Sequence, residues 1–281
     1  MAGSSAAVGR PRLYANAVAR VLARARKRSG EDLDAVAERP VFVLGSPRSG
    51  TSFVARSIGR VPGFADLGEL GLWKAAIPEL AGLPEEQAAE ELRRMLEAVR
   101  RYGLIRHLRA VEQSPETAFV LGAVIRAYPQ AAVVHMVRDP RDVAASLIQK
   151  GWLRSGRPGH DDVGAPYGRH ARFWVEPERA HEFDESDEAR RVGWAWRRYV
   201  TTARAAPAQT VEVRYEQLAA DPQTASEPLA THIGADSVLL ARALSEMHTE
   251  SVGRWHRNLT AEQVAAVEAE AGELMQELGY S

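Results

Sequence analysis

The chain has 281 residues, of which 45% are hydrophobic and 26% charged, and its 36 basic and 37 acidic residues leave a net charge of −1. That is enough for one α/β domain or two small ones with an ample core, and the balanced charge argues against general nucleic-acid binding. With no cysteine, disulfides, thiolate metal sites and a cysteine nucleophile are excluded. No run approaches the ~18 apolar residues of a membrane span, and the N-terminus lacks a signal-peptide apolar core, so a cytoplasmic location is expected.

Residues 1–9 are small and polar. Residues 10–28 carry seven basic side chains, while Leu13, Ala17, Val18, Val21, Leu22 and Ala25 recur at helical spacing. This amphipathic basic helix either packs on the domain with a solvated face or touches an anionic membrane or partner. Residues 1–38 are thus read as a basic helical extension, and 39–281 as one α/β domain.

Val41–Leu44 is a short buried strand. Gly45-Ser46-Pro47-Arg48-Ser49-Gly50-Thr51-Ser52 follows, and Phe53–Ile58 begins a helix. Strand, glycine-bounded loop and helix make a phosphate cradle: backbone N–H groups converge and the helix dipole adds positive charge. Gly45 and Gly50 permit the tight turn. A nucleoside-triphosphatase loop needs Gly-x-x-x-x-Gly-Lys-Ser/Thr. Here Thr51 stands at the lysine position, and the cation sits inside the loop as Arg48, whose planar guanidinium can hold two anion oxygens.

The chain then turns at Arg60–Gly63 and passes Ala65–Leu70. Pro84, at a first helical position, opens a helix with Leu92, Leu96 and Val99 on its inner face. Ala110–Glu112 is a weak strand, Pro115 starts a helix to Tyr128, and Ala131–Val137 is a second strong strand. It runs into Arg138-Asp139-Pro140-Arg141-Asp142, with Asp139 as N-cap and Pro140 at the first helical position. Ligands of open parallel sheets sit beyond the carboxyl ends of strands, so Arg138 belongs at the same edge as Arg48. Ser146 and Lys150, one turn apart, extend this second anion site. His135, inside the strand, reads as a satisfied buried imidazole, and no histidine cluster suggests a metal.

Residues 151–185 hold glycine, proline, histidine and scattered aromatics with no visible period. A loop this long is usually functional or disordered, and its aromatics argue against simple disorder. Ser186-Asp187-Glu188 caps a helix carrying Trp194, Trp196 and Tyr199, read as core. Thr210–Val213 is a further strand, followed by Arg214-Tyr215-Glu216-Gln217-Leu218. After two helices, Ser251–Asn258 is a basic loop, and Thr260 with Gln263 forms a capping box for the last helix. Three or four strands alternating with helices predict a parallel sheet covered on both faces, a three-layer α/β/α fold like that of P-loop proteins.

With both basic loops in hand, the sequence resembles the superfamily of sulfotransferases that use 3′-phosphoadenosine 5′-phosphosulfate (PAPS), including its tyrosylprotein and bacterial branches. Gly45–Ser52 looks like the family's 5′-phosphosulfate loop. Arg138, Pro140 and Ser146 match its Arg-x-Pro…Ser element for the 3′-phosphate. Tyr215-Glu216-Gln217-Leu218 resembles its Tyr-Glu-x-Leu segment, which would put Tyr215 near the adenine, and Arg254-Trp255 resembles a late basic residue that closes over the nucleotide. The resemblance covers roughly residues 40–281, apart from 151–185.

It implies sulfonate transfer to a hydroxyl of a carbohydrate, phenol or lipidic alcohol, directly and in line. Arg48, Ser49, Gly50, Thr51 and Ser52 would hold the 5′ end. Arg138 and Ser146, with Lys150 and Arg254, would hold the 3′-phosphate, leaving 3′-phosphoadenosine 5′-phosphate (PAP) as product. Glu69, 21 residues after Arg48, would activate the acceptor, and residues 151–185 would form its lid. Gln113 departs from the pattern, standing where the family often has lysine; Lys74, Arg106 and Arg109 are conceivable substitutes. A P-loop phosphotransferase and a PAP-binding protein with impaired catalysis remain alternatives. The sequence does not name the acceptor, the oligomeric state or the partner of the basic helix.

Overall fold

The computed structural model describes residues 33–103, 105–153 and 177–280, together with Ala15 and Val175. The basic helix expected over 10–28 and residues 154–174 of the expected lid lie outside the described residues.

A short helix α1 (Leu33–Glu38) leads into β1 (Val41–Gly45), α2 (Thr51–Ile58) and β2 (Phe64–Gly68). Helices α3 (Gly71–Leu80) and α4 (Glu85–Tyr102) precede β3 (Arg109–Glu112). A 3₁₀ turn, Pro115–Val120, runs into α5 (Leu121–Ala127), then β4 (Ala132–Val137) and α6 (Pro140–Lys150). After α7 (Ala180–Glu185) and α8 (Glu188–Ala203) comes β5 (Thr210–Arg214). The chain closes with α9 (Tyr215–Ala220), α10 (Pro222–Ile233), α11 (Ser237–Leu244), α12 (Trp255–Asn258) and α13 (Ala261–Glu277).

The five strands form one parallel sheet in the order β2-β3-β1-β4-β5. Every residue of β1 and β4 is buried. Both faces of the sheet are covered, so these strands read as continuous apolar runs. Side chains still alternate. Phe42, Leu44, Val133 and Val137 enter a core with α3–α6, α8 and α13. Val41, Val43, Val134 and Met136 enter a second core with α2 and α9–α11. Each such side chain contributes about 1.5–3 kcal/mol. His135 alternates with this apolar set; its Nδ1 lies 3.5 Å from Glu212 Oε2. His135, and then Arg204, hold the Glu212 carboxyl down at about 2.

Strand β2 was not legible in the sequence. Its Asp66 and Gly68 break the apolar pattern because the edge strand bulges there. The Asp66 carboxylate folds back to accept from the Gly68 N–H at 2.7 Å. Pro84 stands one position outside α4, as its N-cap residue. The other caps follow expectation: Asp139, Asp187 and the Thr260–Gln263 box each accept at their helix starts. Among the described residues, no helix is long and apolar enough to cross a membrane.

Candidate active site

The loop between β1 and α2 crosses the carboxyl edge of the sheet at its centre. Arg48 takes a left-handed backbone conformation, φ 73°, beside Gly50 at φ 92°. A Cβ on Gly50 would stand 2.8 Å from the Tyr215 ring, and one on Gly45 would stand 2.4 Å from the Met136 carbonyl oxygen. Both glycines are therefore demanded by close approach as well as by turning. No side chain caps the start of α2, which leaves first-turn N–H donors for an anion.

Strand β4 delivers Arg138 to the same edge. Its guanidinium stacks 4.2 Å above the Tyr215 ring, donates to the Arg48 carbonyl at 3.0 Å and donates to the Ser251 carbonyl. Nε of Arg138 is buried without a hydrogen-bond partner. The Arg48 side chain crosses to α6, where its Nε donates to Ser146 Oγ at 3.0 Å. Gly50, Thr51, Ser52 and Arg254 line the same pocket, of about 220 Å³. Ser49 is buried beneath the loop with its hydroxyl unpartnered. Lys150 is exposed, and it is not among the residues that line the pocket.

Sequence reasoning missed Phe53, Met247, His248 and Ser251, which also line the pocket. It also missed the two carboxylates that build it. Asp142 accepts from the Gly253 N–H at 2.8 Å and the Trp255 N–H at 3.0 Å. It thereby straps residues 251–255 over the start of α6, and Trp255 stacks on Arg141 at 4.3 Å. Burial pushes the Asp142 carboxyl up, against those hydrogen bonds and the charge of Arg138. Glu216 accepts from the Asp139 N–H at 2.9 Å and from the Tyr280 hydroxyl at 3.1 Å, fixing the turn that carries Arg138. Both acids stood inside motifs already singled out, next to residues assigned to the ligand. That adjacency was the available signal.

Glu69 stands on the β2 side of this edge, in the turn before α3. Lys74 Nζ lies 2.6 Å from its carboxylate and 3.8 Å from that of buried Glu116. Gln113 accepts from Ser52 Oγ at 3.1 Å, so the position where lysine was expected does touch the cradle. Of the three substitute cations, Lys74 is the one near this edge. Arg109 donates to the Arg39 and Ile233 carbonyls at the start of β3, and Arg106 precedes that strand. Between the Glu69 and Gln113 turns lies Glu112, fully buried. It accepts from the Ser114 N–H at 2.9 Å, the Ser114 hydroxyl and the Thr117 hydroxyl at 3.0 Å, and from the Leu70 backbone. Burial nonetheless pushes its carboxyl up to about 7.

Residues 104–238 match the model of the sulfotransferase family, a span that includes Arg138, Ser146 and Tyr215 but begins after the cradle. The sulfotransferase domain of the curacin biosynthetic pathway superposes with a TM-score of 0.54 at 15% identity, over 92% of this chain and 99% of that one. The chain thus carries a sulfotransferase-family segment over residues 104–238 within a fold shared with sulfotransferases. A sulfotransferase from Mycobacterium avium has the same fold, with a TM-score of 0.52 at 13% identity, over 96% and 86% of the two chains. A protein of Aquifex aeolicus is 31% identical over 130 residues, or 40% of this chain. The chain spans only 17% of that relative's length.

Proposed function

We propose that the chain transfers a sulfonate group from PAPS to a hydroxyl-bearing acceptor. One observation carries this: two arginines that follow different strands, Arg48 in the loop after β1 and Arg138 directly after β4, share one pocket at the carboxyl edge of the sheet, and Arg138 donates to the Arg48 carbonyl. A 3′,5′-bisphosphorylated nucleotide presents two separated anions to such a pair. The residues present fit that group. Arg138 Nε is a buried donor without an acceptor, and α2 opens with uncapped N–H groups.

When bound, PAPS supplies an activated sulfonate whose leaving group is a phosphate. The chain's part is to bind, orient and neutralise. Arg48 and the first-turn N–H groups of α2 face the 5′ end and offset negative charge developing there. Arg138, Ser146 and Arg254 hold the 3′-phosphate, and Tyr215 walls the pocket against Gly50. Glu69 accepts the acceptor's hydroxyl proton at a carboxylate oxygen, with Lys74 holding that carboxylate in place. The acceptor is a carbohydrate, phenol or lipidic alcohol.

Titration calorimetry with PAP tests this. The native protein should bind PAP in preference to ATP–Mg, and Arg138→Ala should weaken binding at least tenfold. Absence of PAP binding by the native protein would refute the proposal.

A further inference from the structure

Strand β3 is the shortest of the five and stops early at the carboxyl edge of the sheet. Its last residue, Glu112, pairs with Phe42 of β1 and Gly68 of β2. β1 runs on through Val43, Leu44 and Gly45, where its pairing is with β4. Beyond Glu112, therefore, strand pairing no longer ties the turn after β2, which carries Glu69, to the cradle after β1.

The Glu112 side chain fills this break. Its carboxylate accepts from the backbone of Leu70, the residue after Glu69. It also accepts from the N–H of Ser114, the residue after Gln113, at 2.9 Å, and from the Ser114 hydroxyl. A fourth donor is the Thr117 hydroxyl at 3.0 Å, which itself accepts from the Trp73 indole on α3 at 2.9 Å. Gln113 then reaches the cradle, accepting from Ser52 Oγ in the first turn of α2 at 3.1 Å. Hydrogen bonds and two peptide units thus run unbroken from Glu69 to Ser52, with Glu112 in the middle.

Four donors match the roughly four lone-pair directions of a carboxylate. Glu112 is nonetheless fully buried, and burial pushes its carboxyl up to about 7. A charge-bearing group that is costly to bury, surrounded by donors that converge on it from two turns, answers a need of geometry rather than of stability. In-line transfer has such a need, because a misplacement of about 1 Å can lower a rate by about 10²-fold.

We infer that Glu112 is a positioning residue for sulfonate transfer: by holding the Leu70 and Ser114 turns on one carboxylate, it fixes the separation between the Ser52 cradle and Glu69. This role rests on the proposal above, in which the cradle holds the 5′ end and Glu69 takes the proton. Glu112 does not line the nucleotide pocket and acts through the two turns.

Amide hydrogen exchange on the full chain, with and without PAP, tests this. In the native protein PAP should slow exchange at least threefold in residues 68–74 as well as in 51–54, because the two are joined through Glu112. Glu112→Gln puts an amide donor where one acceptor oxygen stood. Without ligand, exchange at Leu70 and at Ser114 should rise together in this variant. Its PAP affinity, by calorimetry, should stay within threefold of native, yet PAP should no longer slow exchange in 68–74. General destabilisation would not separate these two readouts. Ser114→Ala, which removes one donor of the four, should give an intermediate change and keeps the test if Glu112→Gln does not fold. Loosening confined to one turn, no PAP effect on 68–74 in the native protein, or a PAP effect that survives Glu112→Gln would overturn the inference. If PAP does not bind the native protein, the nucleotide proposal falls, and joint loosening of the two turns without ligand still decides whether Glu112 joins them.

Discussion

Arg138 donates a hydrogen bond to the backbone carbonyl of Arg48 across 3.0 Å. The contact links the two anion sites through the least comfortable residue of the cradle. Arg48 is the one non-glycine residue with positive φ among the described residues, a conformation that costs on the order of 1 kcal/mol or more and persists only when neighbours impose it. The sites should therefore be coupled. Arg138→Lys, which keeps the charge but loses the fork, should weaken PAP binding more than tenfold. In a double-mutant cycle with Arg48→Ala, calorimetry should give a coupling of at least about 1 kcal/mol. Strictly additive effects would show that the sites act separately.

Asp142 strapping residues 251–255 makes a second prediction. Asp142→Ala leaves the Gly253 and Trp255 N–H groups without their acceptor, a loss on the order of 1–3 kcal/mol, and releases Ser251 and Arg254 from the pocket rim. Trypsin should then cut after Arg254 or Arg257 several-fold faster than in the native protein, and PAP affinity should fall. Unchanged cleavage would mean that the Arg141–Trp255 stack alone holds the strap.

Lys74 lies between two carboxylates, one of them buried. Lys74→Met should lower Tm by several degrees, since removing one partner of a buried ion pair strands the other charge. Adding Glu116→Gln should restore part of the loss. Glu69→Gln should keep PAP affinity and fold while lowering kcat by about 10²-fold or more. A turnover equal to native would remove Glu69 as the base.

Glu112 sets a pH dependence whose sign follows from its burial. Its carboxyl is raised to about 7 from 4.5, so over that interval the folded protein holds a proton that the unfolded chain has released. Stability from this group is greatest below pH 4.5, falls as pH rises toward 7, and is level above, a total on the order of 3 kcal/mol. Glu112→Gln removes the titration. Thermal melts from pH 5 to 8 should show a flatter dependence in the variant than in the native protein, and parallel curves would place the titration elsewhere.

Much of this was legible in the chain. β1 and β4 announce themselves as apolar runs because a doubly covered parallel sheet buries both faces. The cradle glycines, Arg138 and the Asp139–Pro140 helix start could be placed because each obeys a local rule of turn, cap or strand end, whereas Tyr215 was placed by the family resemblance. β2 was hidden because edge strands tolerate polar residues and its Asp66 serves a bulge. Met247 and His248 were hidden because no local pattern marks a loop that comes to line a pocket built by distant strands.

The sequence by itself determined the strand–loop–helix cradle and the order of the basic motifs, since these depend on contacts a few residues apart. Only the tertiary structure decided which side chains meet. It brought Arg138 to the Arg48 carbonyl across 90 positions of chain and Arg48 to Ser146 across 98, and it left Lys150 outside the pocket. Such meetings depend on strand order and on how α8 and α6 pack against the sheet, properties set by burial of the whole core rather than by any one motif.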